Sequence, residues 1–281
     1  MSAVVRDGES FKHYQPKRIT WDGREISRFI LGSNPFGGYA HQTKERDNEM
    51  VDWYTMERVK QCYKKAEAAG ITTTVGRTDD FILRALREFR NEGGAIQWIA
   101  QTCPGVGTFA HGINTAVRGN AIACFLHGGE LDYRVAGGET TEVFDAIKMI
   151  KDHGMLAGCA GHCTDTIQWA ADNLDLDFFM TCYYNPDDRR NQANRNYDVP
   201  EYYGSEHRDA MCALIQQLPA PAIHYKVLAA GRNDPAEAFA YVATKMRPLD
   251  ACCVGMFLKD DPDMIQKDID FFEGALGEAG K

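Results

Sequence analysis

Two histidines and a lysine stand where short apolar runs break off. His127 ends the run AIACFLH and is followed by Gly128-Gly129-Glu130. His162 closes MLAGCAGH, and Lys226 lies inside AIHYKVLAAG. Imidazoles change charge near neutral pH and serve as general acids and bases. A lysine stripped of water acts as a base, or as an amine nucleophile toward a carbonyl carbon. Side chains suited to a hydroxylated or anionic substrate hold similar positions: Asn34, Arg77, Gln101, Glu130, Tyr184 and Asn185. Together these types can move protons on a small polar carbonyl compound or sugar, in an aldol-type, lyase or isomerase step. His127 and Lys226 would do the acid–base work, with His162 assisting.

Each residue also has a plainer role open to it. Lys226 can be one half of an internal ion pair with Glu130 or Asp132. His162 can cap a helix beginning near Thr164, and Arg77 can pair with Asp79 or Asp80. A divalent metal is a further option, because His127, Glu130 and His162, with Cys182 beside them, offer nitrogen, oxygen and sulfur donors. No His-Glu-x-x-His spacing accompanies them. Two stretches have the makings of an anion or cofactor site: Gly231 and Arg232 in AAGRND, and Lys259 in GMFLKDDP. Both precede a helix start, where backbone N–H groups and the helix dipole favour phosphate.

Positioning such residues falls to a regular alternation of elements. Apolar runs at 28–32, 71–75, 95–102, 121–127, 155–161, 177–185, 222–231 and 250–257 each lead to a helical stretch. Those stretches lie at 55–69, 78–91, 108–118, 140–153, 164–173, 205–217, from Pro235, and at 262–273. Such alternation predicts a parallel sheet covered by helices, and eight units predict a closed (β/α)8 TIM barrel in the α/β class. Asp22-Gly23 between short runs predicts a β-hairpin ahead of it. No linker or low-complexity stretch divides residues 1–281, so a single barrel domain is expected. In such a barrel the active site forms at the C-terminal strand ends, where all the residues above fall. Period-2 alternation in 222–228 places Ile223, Tyr225 and Val227 toward the helices, and His224 and Lys226 toward the barrel axis. The polar stretch 185–203 is long for a compact domain. It is expected to be a lid carrying Tyr197, Tyr202 or Tyr203, or else a contact between subunits of a homo-oligomer.

Composition narrows the partners. The net charge of −9 over 281 residues disfavours nucleic acid and anionic membrane, which call for a basic patch. No apolar run approaches the ~18 residues of a membrane span, and no signal-peptide core is present near Met1. Nine cysteines with no disulfide-type spacing point to a reducing cytoplasm. A small-molecule substrate is the expected partner.

The whole chain resembles the aldo/keto reductase superfamily. The hairpin leading to ISRFILGSNPFGG is similar to that family's opening hairpin and first strand, and AEAAGITTTV to its entry to the second. ACFLHGGELD resembles its fourth strand, which ends in histidine; HGMLAGCAGH is similar to its fifth, and MTCYYNP to its sixth. The resemblance implies a barrel with an N-terminal hairpin, and NAD(P) as cofactor. It also implies an Asp, Tyr, Lys and His tetrad, of which His127 matches the histidine. The aspartate position falls near Thr74-Val75, the tyrosine near Asp79-Asp80 and the lysine near Gln101. Where the family has Ser-Asn in the fifth strand, this chain has Ala160-Gly161. A divergent barrel with His/Lys acid–base chemistry is therefore the leading expectation. Its alternatives are an NAD(P)H oxidoreductase with Tyr183, Tyr184 or Lys226 as proton donor, a metal-dependent enzyme, and a barrel that binds a ligand without catalysis.

Overall fold

A computed structural model describes residues 13–186, 189–191 and 201–281. Tyr197 and most of the expected lid lie outside the described residues. The chain opens with the expected hairpin, β1 (Arg18–Trp21) against β2 (Arg24–Ser27). Asp22 and Gly23 both take positive φ, 44° and 75°, the tight turn that Asp-Gly favours between twisted strands.

Eight parallel strands then close into a barrel: β3 (Phe29–Gly32), β4 (Thr73–Arg77), β5 (Gln97–Gln101), β6 (Ala123–Leu126), β7 (Leu156–Gly161), β8 (Phe178–Cys182), β9 (Ala222–Tyr225) and β10 (Ala251–Gly255). β10 pairs with β3 to complete the ring. The surrounding helices are α1 (Lys44–Trp53), α2 (Met56–Ala68), α3 (Asp80–Asn91), α4 (Phe109–Arg118), α5 (Gly128–Gly137), α6 (Thr141–Asp152), α7 (Thr164–Asn173), α8 (Ser205–Ile215), α9 (Pro235–Lys245) and α10 (Met264–Glu278). Among the described residues, no helix is long and apolar enough to cross a membrane.

Strand alternation sorts the core into two layers. Ile30, Val75, Ile99, Phe125, Leu156, Phe178, Met180 and Ile223 fill the barrel's interior. Phe29, Leu31, Trp98, Leu126 and Phe179 pack outward against the helices. The hairpin contributes Ile19, Trp21 and Ile26 to the inner layer, and Trp21 stacks on Phe178 at 5.5 Å between centroids. The hairpin therefore plugs the end of the barrel where the strands begin, and the mouth at their C-terminal ends is left to function.

Two helices go beyond the sequence reading. α1 is strongly polar and buries only Asp47 and Met50, with Thr43 capping its N-terminus. α5 begins at Gly128-Gly129, a pair that reads as turn punctuation, and it forms because His127 caps it.

Candidate active site at the barrel mouth

His127 follows β6 and occupies the N-cap of α5, where its Nδ1 accepts a long 3.3 Å hydrogen bond from the Glu130 N–H. Its own N–H donates to Thr102 Oγ1 at 3.0 Å, which anchors the turn to the neighbouring strand end. With Nδ1 accepting, the ring proton of the neutral form must sit on Nε2. Burial, and the charges of His162, Arg189 and Arg77, push the imidazole down to about 3. His127 is therefore a neutral Nε2–H donor at physiological pH.

His162 follows β7 and is held by Asp132 of α5. Its Nδ1 lies 2.9 Å from Asp132 Oδ2, and its backbone N–H donates to the same oxygen at 2.9 Å. The Cys163 N–H reaches Asp132 Oδ1 at 3.2 Å. Asp132 has 0% exposure. Burial works to raise its pKa, and the hydrogen bonds and charge of His162 outweigh that, keeping the carboxyl below its ordinary range. The carboxylate fixes the Nδ1–H tautomer of His162, so the Nε2 lone pair remains as a base. Burial also lowers His162, with Asp132 opposing and Lys226 and Arg189 adding to the lowering. A Cβ at position 128 would lie 3.2 Å from His162 Cε1 and 3.3 Å from Ala160, so glycine lets α5 come close to β7.

The other expected residues divide into those at the mouth and those held elsewhere. Arg77, at the end of β4, pairs with Asp79 (Nε to Oδ2, 3.2 Å), donates to Cys103 Sγ at 2.6 Å and lies over the Tyr39 ring. Its charge is still felt at His127. Gln101 ends β5 and Asn34 opens the turn after β3, both half-buried. Asn185 donates to Cys163 Sγ at 3.5 Å, and its buried Oδ1 has no hydrogen-bond partner among the described residues.

Lys226 comes to the mouth by a different route from the one alternation predicts. Ile223 lies in the inner core and Tyr225 packs against it, while His224 points outward to Tyr183 and Asp250. The faces of β9 are thus inverted relative to expectation. The strand stops at Tyr225, and Lys226 takes a left-handed φ of 57° that breaks the alternation. Its Nζ lies 2.7 Å from His41 Nε2 and 3.3 Å from Nδ1. Glu130 and Asp132 are committed to Arg134 and His162 and do not supply the expected ion pair.

Several expectations are corrected. Glu130 turns to Arg134 at 3.0 Å, Cys182 Sγ donates to the Tyr184 carbonyl at 2.9 Å, and both mouth histidines have Nδ1 occupied. The metal set of His127, Glu130 and His162 does not assemble, and among the described residues no three His, Cys, Asp or Glu side chains converge as ligands. Tyr183 binds His224 Nδ1 on the outer face, which takes it away from the mouth, and the Tyr184 hydroxyl accepts from Asn233 at 3.0 Å and keeps its own O–H to donate.

The anion loops are also occupied. Arg232 donates to the His41 and Ala229 carbonyls and lies over the Tyr203 ring. Lys259 pairs with Glu49 at 2.8 Å, away from the histidines. Asp234 caps α9 with its own carboxylate, and Asp260, Asp261 and Asp263 crowd the approach to α10. Carboxylates at both helix starts oppose the phosphates of NAD(P). The residues present do not fit that cofactor by way of Gly231, Arg232 and Lys259.

Four participants are not singled out by sequence reasoning. Asp132 is one in its observed role: the sequence offers it to Lys226, and its pairing with His162 joins positions thirty apart. Arg189, 4% exposed, adds positive charge beside both histidines. Tyr225 packs against the inner layer with its ring centroid 6.2 Å from that of His162. Glu201 holds His41. None of the four carries a local signal: Arg189 lies in DDRRNQANR, where two aspartates offset the three arginines.

A closed parallel barrel, a hairpin plug and polar side chains at the strand ends define a (β/α)8 protein with its site at the mouth. Its fold is that of the aldo/keto reductases. A protein from Pseudomonas aeruginosa assigned to that group superposes with a TM-score of 0.60 at 16% identity, over 92% of this chain and 96% of its own. An aldo-keto reductase from Bacillus halodurans in its holo form gives 0.52 at 12% identity, over 95% and 97%. A chain assigned as a 2,5-diketo-D-gluconic acid reductase B gives 0.57 at 8% identity, over 94% and 90%. Neither a family profile nor a curated protein matches the sequence.

Proposed function

We propose that this barrel is a divergent relative of the aldo/keto reductases that moves protons on a small polar carbonyl compound or sugar, in an isomerase, lyase or aldol-type step. One observation carries the reading: the Asp132–His162 pair stands beside His127 with the two imidazoles in opposite tautomers. His162 Nε2 takes a proton from the carbon next to the carbonyl. His127 Nε2–H donates to the carbonyl oxygen as negative charge develops there. Arg77, Arg189 and Lys226 surround that charge with fixed positive ends, which favours an enolate in a site shielded from water. Pairs of titratable groups driven into different states by their surroundings are how one site supplies both acid and base. Asn34, Gln101 and Asn185 are the hydroxyl-binding groups in this reading.

The test is hydrogen–deuterium exchange into hydroxyacetone, dihydroxyacetone, glyceraldehyde and pyruvate in D2O, followed by proton NMR. Exchange lost in His162→Gln supports the reading. No exchange above buffer with any of the four, or equal exchange in His162→Gln, overturns it.

An NAD(P)H oxidoreductase is the second reading, favoured by the fold and by Tyr225, whose ring stands beside His162. The carboxylates at the α9 and α10 starts weigh against it. NADPH fluorescence decides between them, because saturable binding at micromolar cofactor belongs only to the second. The acidic balance supports a small-molecule partner, and nine unpaired cysteines support a reducing compartment.

A further inference from the structure

Three carboxamides at the mouth keep hydrogen-bonding capacity that the protein does not use. Gln101 ends β5 two residues beyond Ile99, so alternation turns it toward the barrel axis above the inner layer. Its side chain and that of Asn34 make no hydrogen bond among the described residues, although both residues are half-buried. Asn185 rests its Nδ2 on the Sγ of Cys163 at 3.5 Å, next in the chain to His162, while its buried Oδ1 has no partner among the described residues. A buried acceptor without a partner costs free energy that a substrate hydroxyl recovers. Turned end for end, the amide would offer its NH2 there instead, and a hydroxyl, which both donates and accepts, satisfies either arrangement.

The strands follow one another around the ring in sequence order from β3 to β10. Gln101 of β5 therefore stands on one side of His127 and His162, which follow β6 and β7, and Asn185, beyond β8, stands on the other. Asn34 follows β3, opposite β7 in the ring. Hydroxyl recognition is thus available on both sides of the acid–base pair. The charged groups, by contrast, are matched within the protein. Arg77 has Asp79, the Cys103 thiol and the Tyr39 ring. Glu130 has Arg134, and His162 has Asp132. Lys226 meets His41, His41 meets Glu201, and Arg189 is engaged as well. A substrate phosphate or carboxylate would give up its water here without gaining an uncommitted cation. The positive charge felt at His127 falls where its Nε2–H meets the carbonyl oxygen, and negative charge develops on that oxygen only during reaction.

We infer that the substrate is an uncharged sugar with hydroxyls on both sides of the reacting carbons, a free ketose or its aldose isomer, and that Gln101 and Asn185 determine this specificity. This narrows the substrate of the proton-transfer reading and rests on it. A phosphate ester of the same sugar is selected against, because the groups left to bind it are neutral amides.

Two measurements on the intact protein test this. Exchange in D2O is followed by proton NMR for hydroxyacetone, dihydroxyacetone, xylulose and xylulose 5-phosphate. The expected kcat/KM is at least about fivefold higher for xylulose than for its phosphate ester, and higher for dihydroxyacetone, with a hydroxyl on each side of its carbonyl, than for hydroxyacetone. Gln101→Leu and Asn185→Leu should each lower the dihydroxyacetone-to-hydroxyacetone ratio about fivefold, the size of one lost hydrogen bond. Both rates come from one preparation, so incomplete folding of a variant cancels from the ratio. Binding of xylitol, read by saturation-transfer NMR, needs no chemistry and should weaken about fivefold in Asn185→Leu. A smaller preference for xylulose over its phosphate ester, or the reverse preference, overturns the inference, and so does an unchanged ratio in both variants. If exchange requires His162 yet the phosphate ester is preferred, only this inference fails. If xylitol binds and weakens as expected while none of the four compounds exchanges, only the proton-transfer reading fails.

Discussion

The imidazole of His162 and the carboxylate of Asp132 meet at 2.9 Å, although one follows β7 and the other lies in the helix after β6. Three N–H groups converge on that carboxylate: the His162 ring, the His162 backbone and the Cys163 backbone. Asp132 therefore both orients the base and ties two strand ends together. Asp132→Asn keeps the volume but aims an amide NH2 at a site built of donors. Turnover should fall about 10²–10⁴-fold, as when an orienting carboxylate is lost elsewhere. Stability should fall by roughly 3 kcal/mol from the buried N–H groups left without an acceptor. The wild-type contribution has a definite pH window. Because the folded pKa lies below the unfolded one, the stabilisation is present above ~4 and disappears as pH falls through the depressed value. Denaturant midpoints of both proteins from pH 3 to 7 should converge at the acid end.

His127 carries two separable duties, and three substitutions separate them. His127→Asn keeps an N-cap acceptor for α5 and removes the Nε2–H, so the Tm should hold within a few degrees while exchange activity is lost. His127→Ala loses the cap as well and should cost a further ~1 kcal/mol. His127→Gln serves as the pH control. An imidazole held at about 3 in the fold and near 6.5 when unfolded destabilises the protein as pH falls from 6.5 toward 3. Thermal melts should show that slope in the wild type and a shallower one in His127→Gln. Activity should persist well below pH 6.5, since the neutral donor survives there.

Outside the barrel, Asp250 gathers His224 Nε2 at 3.3 Å, Arg247 Nη2 at 2.9 Å and the Ala222 N–H at 2.8 Å. It has 0% exposure and sits at the start of β10, next to β9. His224 passes the network on to Tyr183 at 2.9 Å. Removing one partner of a buried ionic network leaves the others uncompensated, at ~3–5 kcal/mol. Asp250→Ala should lower the unfolding free energy by that amount, read from the shift in denaturant midpoint at constant slope, while the folded fraction keeps its exchange rate. A loss of activity per folded molecule would instead tie this network to the site.

Much of the fold was legible because a barrel repeats one instruction eight times, an apolar run and then an amphipathic helix. Asp22-Gly23 and its hairpin were equally legible, since the turn depends on two adjacent residues. What escaped depends on tertiary context. α5 starts on two glycines, and only the cap by His127 makes that a helix. The β9 faces were inverted because His224 is polar but satisfied by Asp250, so it can be buried on the outer face. The location of the site followed from His127, His162 and Lys226 at strand ends. Its organisation did not, because Asp132, Glu201 and His41 reach their partners across gaps in sequence that no local pattern encodes.

Tyr225 separates the two functional readings with a single atom. Its ring stands edge-on to His162 at the mouth, and burial raises its hydroxyl well above the ordinary range, so it remains a phenol throughout the working pH range. Tyr183 is bound to His224 on the outer face and the Tyr184 hydroxyl accepts from Asn233, while the Tyr225 hydroxyl belongs to the ring that packs against His162. A reductase would need that hydroxyl to protonate the alkoxide, and Tyr225→Phe would then abolish carbonyl reduction, by 10² or more. In the proton-transfer reading His162 and His127 do the work, and Tyr225→Phe preserves the ring packing. Deuterium exchange should then fall by less than about tenfold, the size expected for one lost hydrogen bond of ~1 kcal/mol. Measuring exchange and NADPH-dependent reduction on the same Tyr225→Phe preparation gives the two readings opposite outcomes.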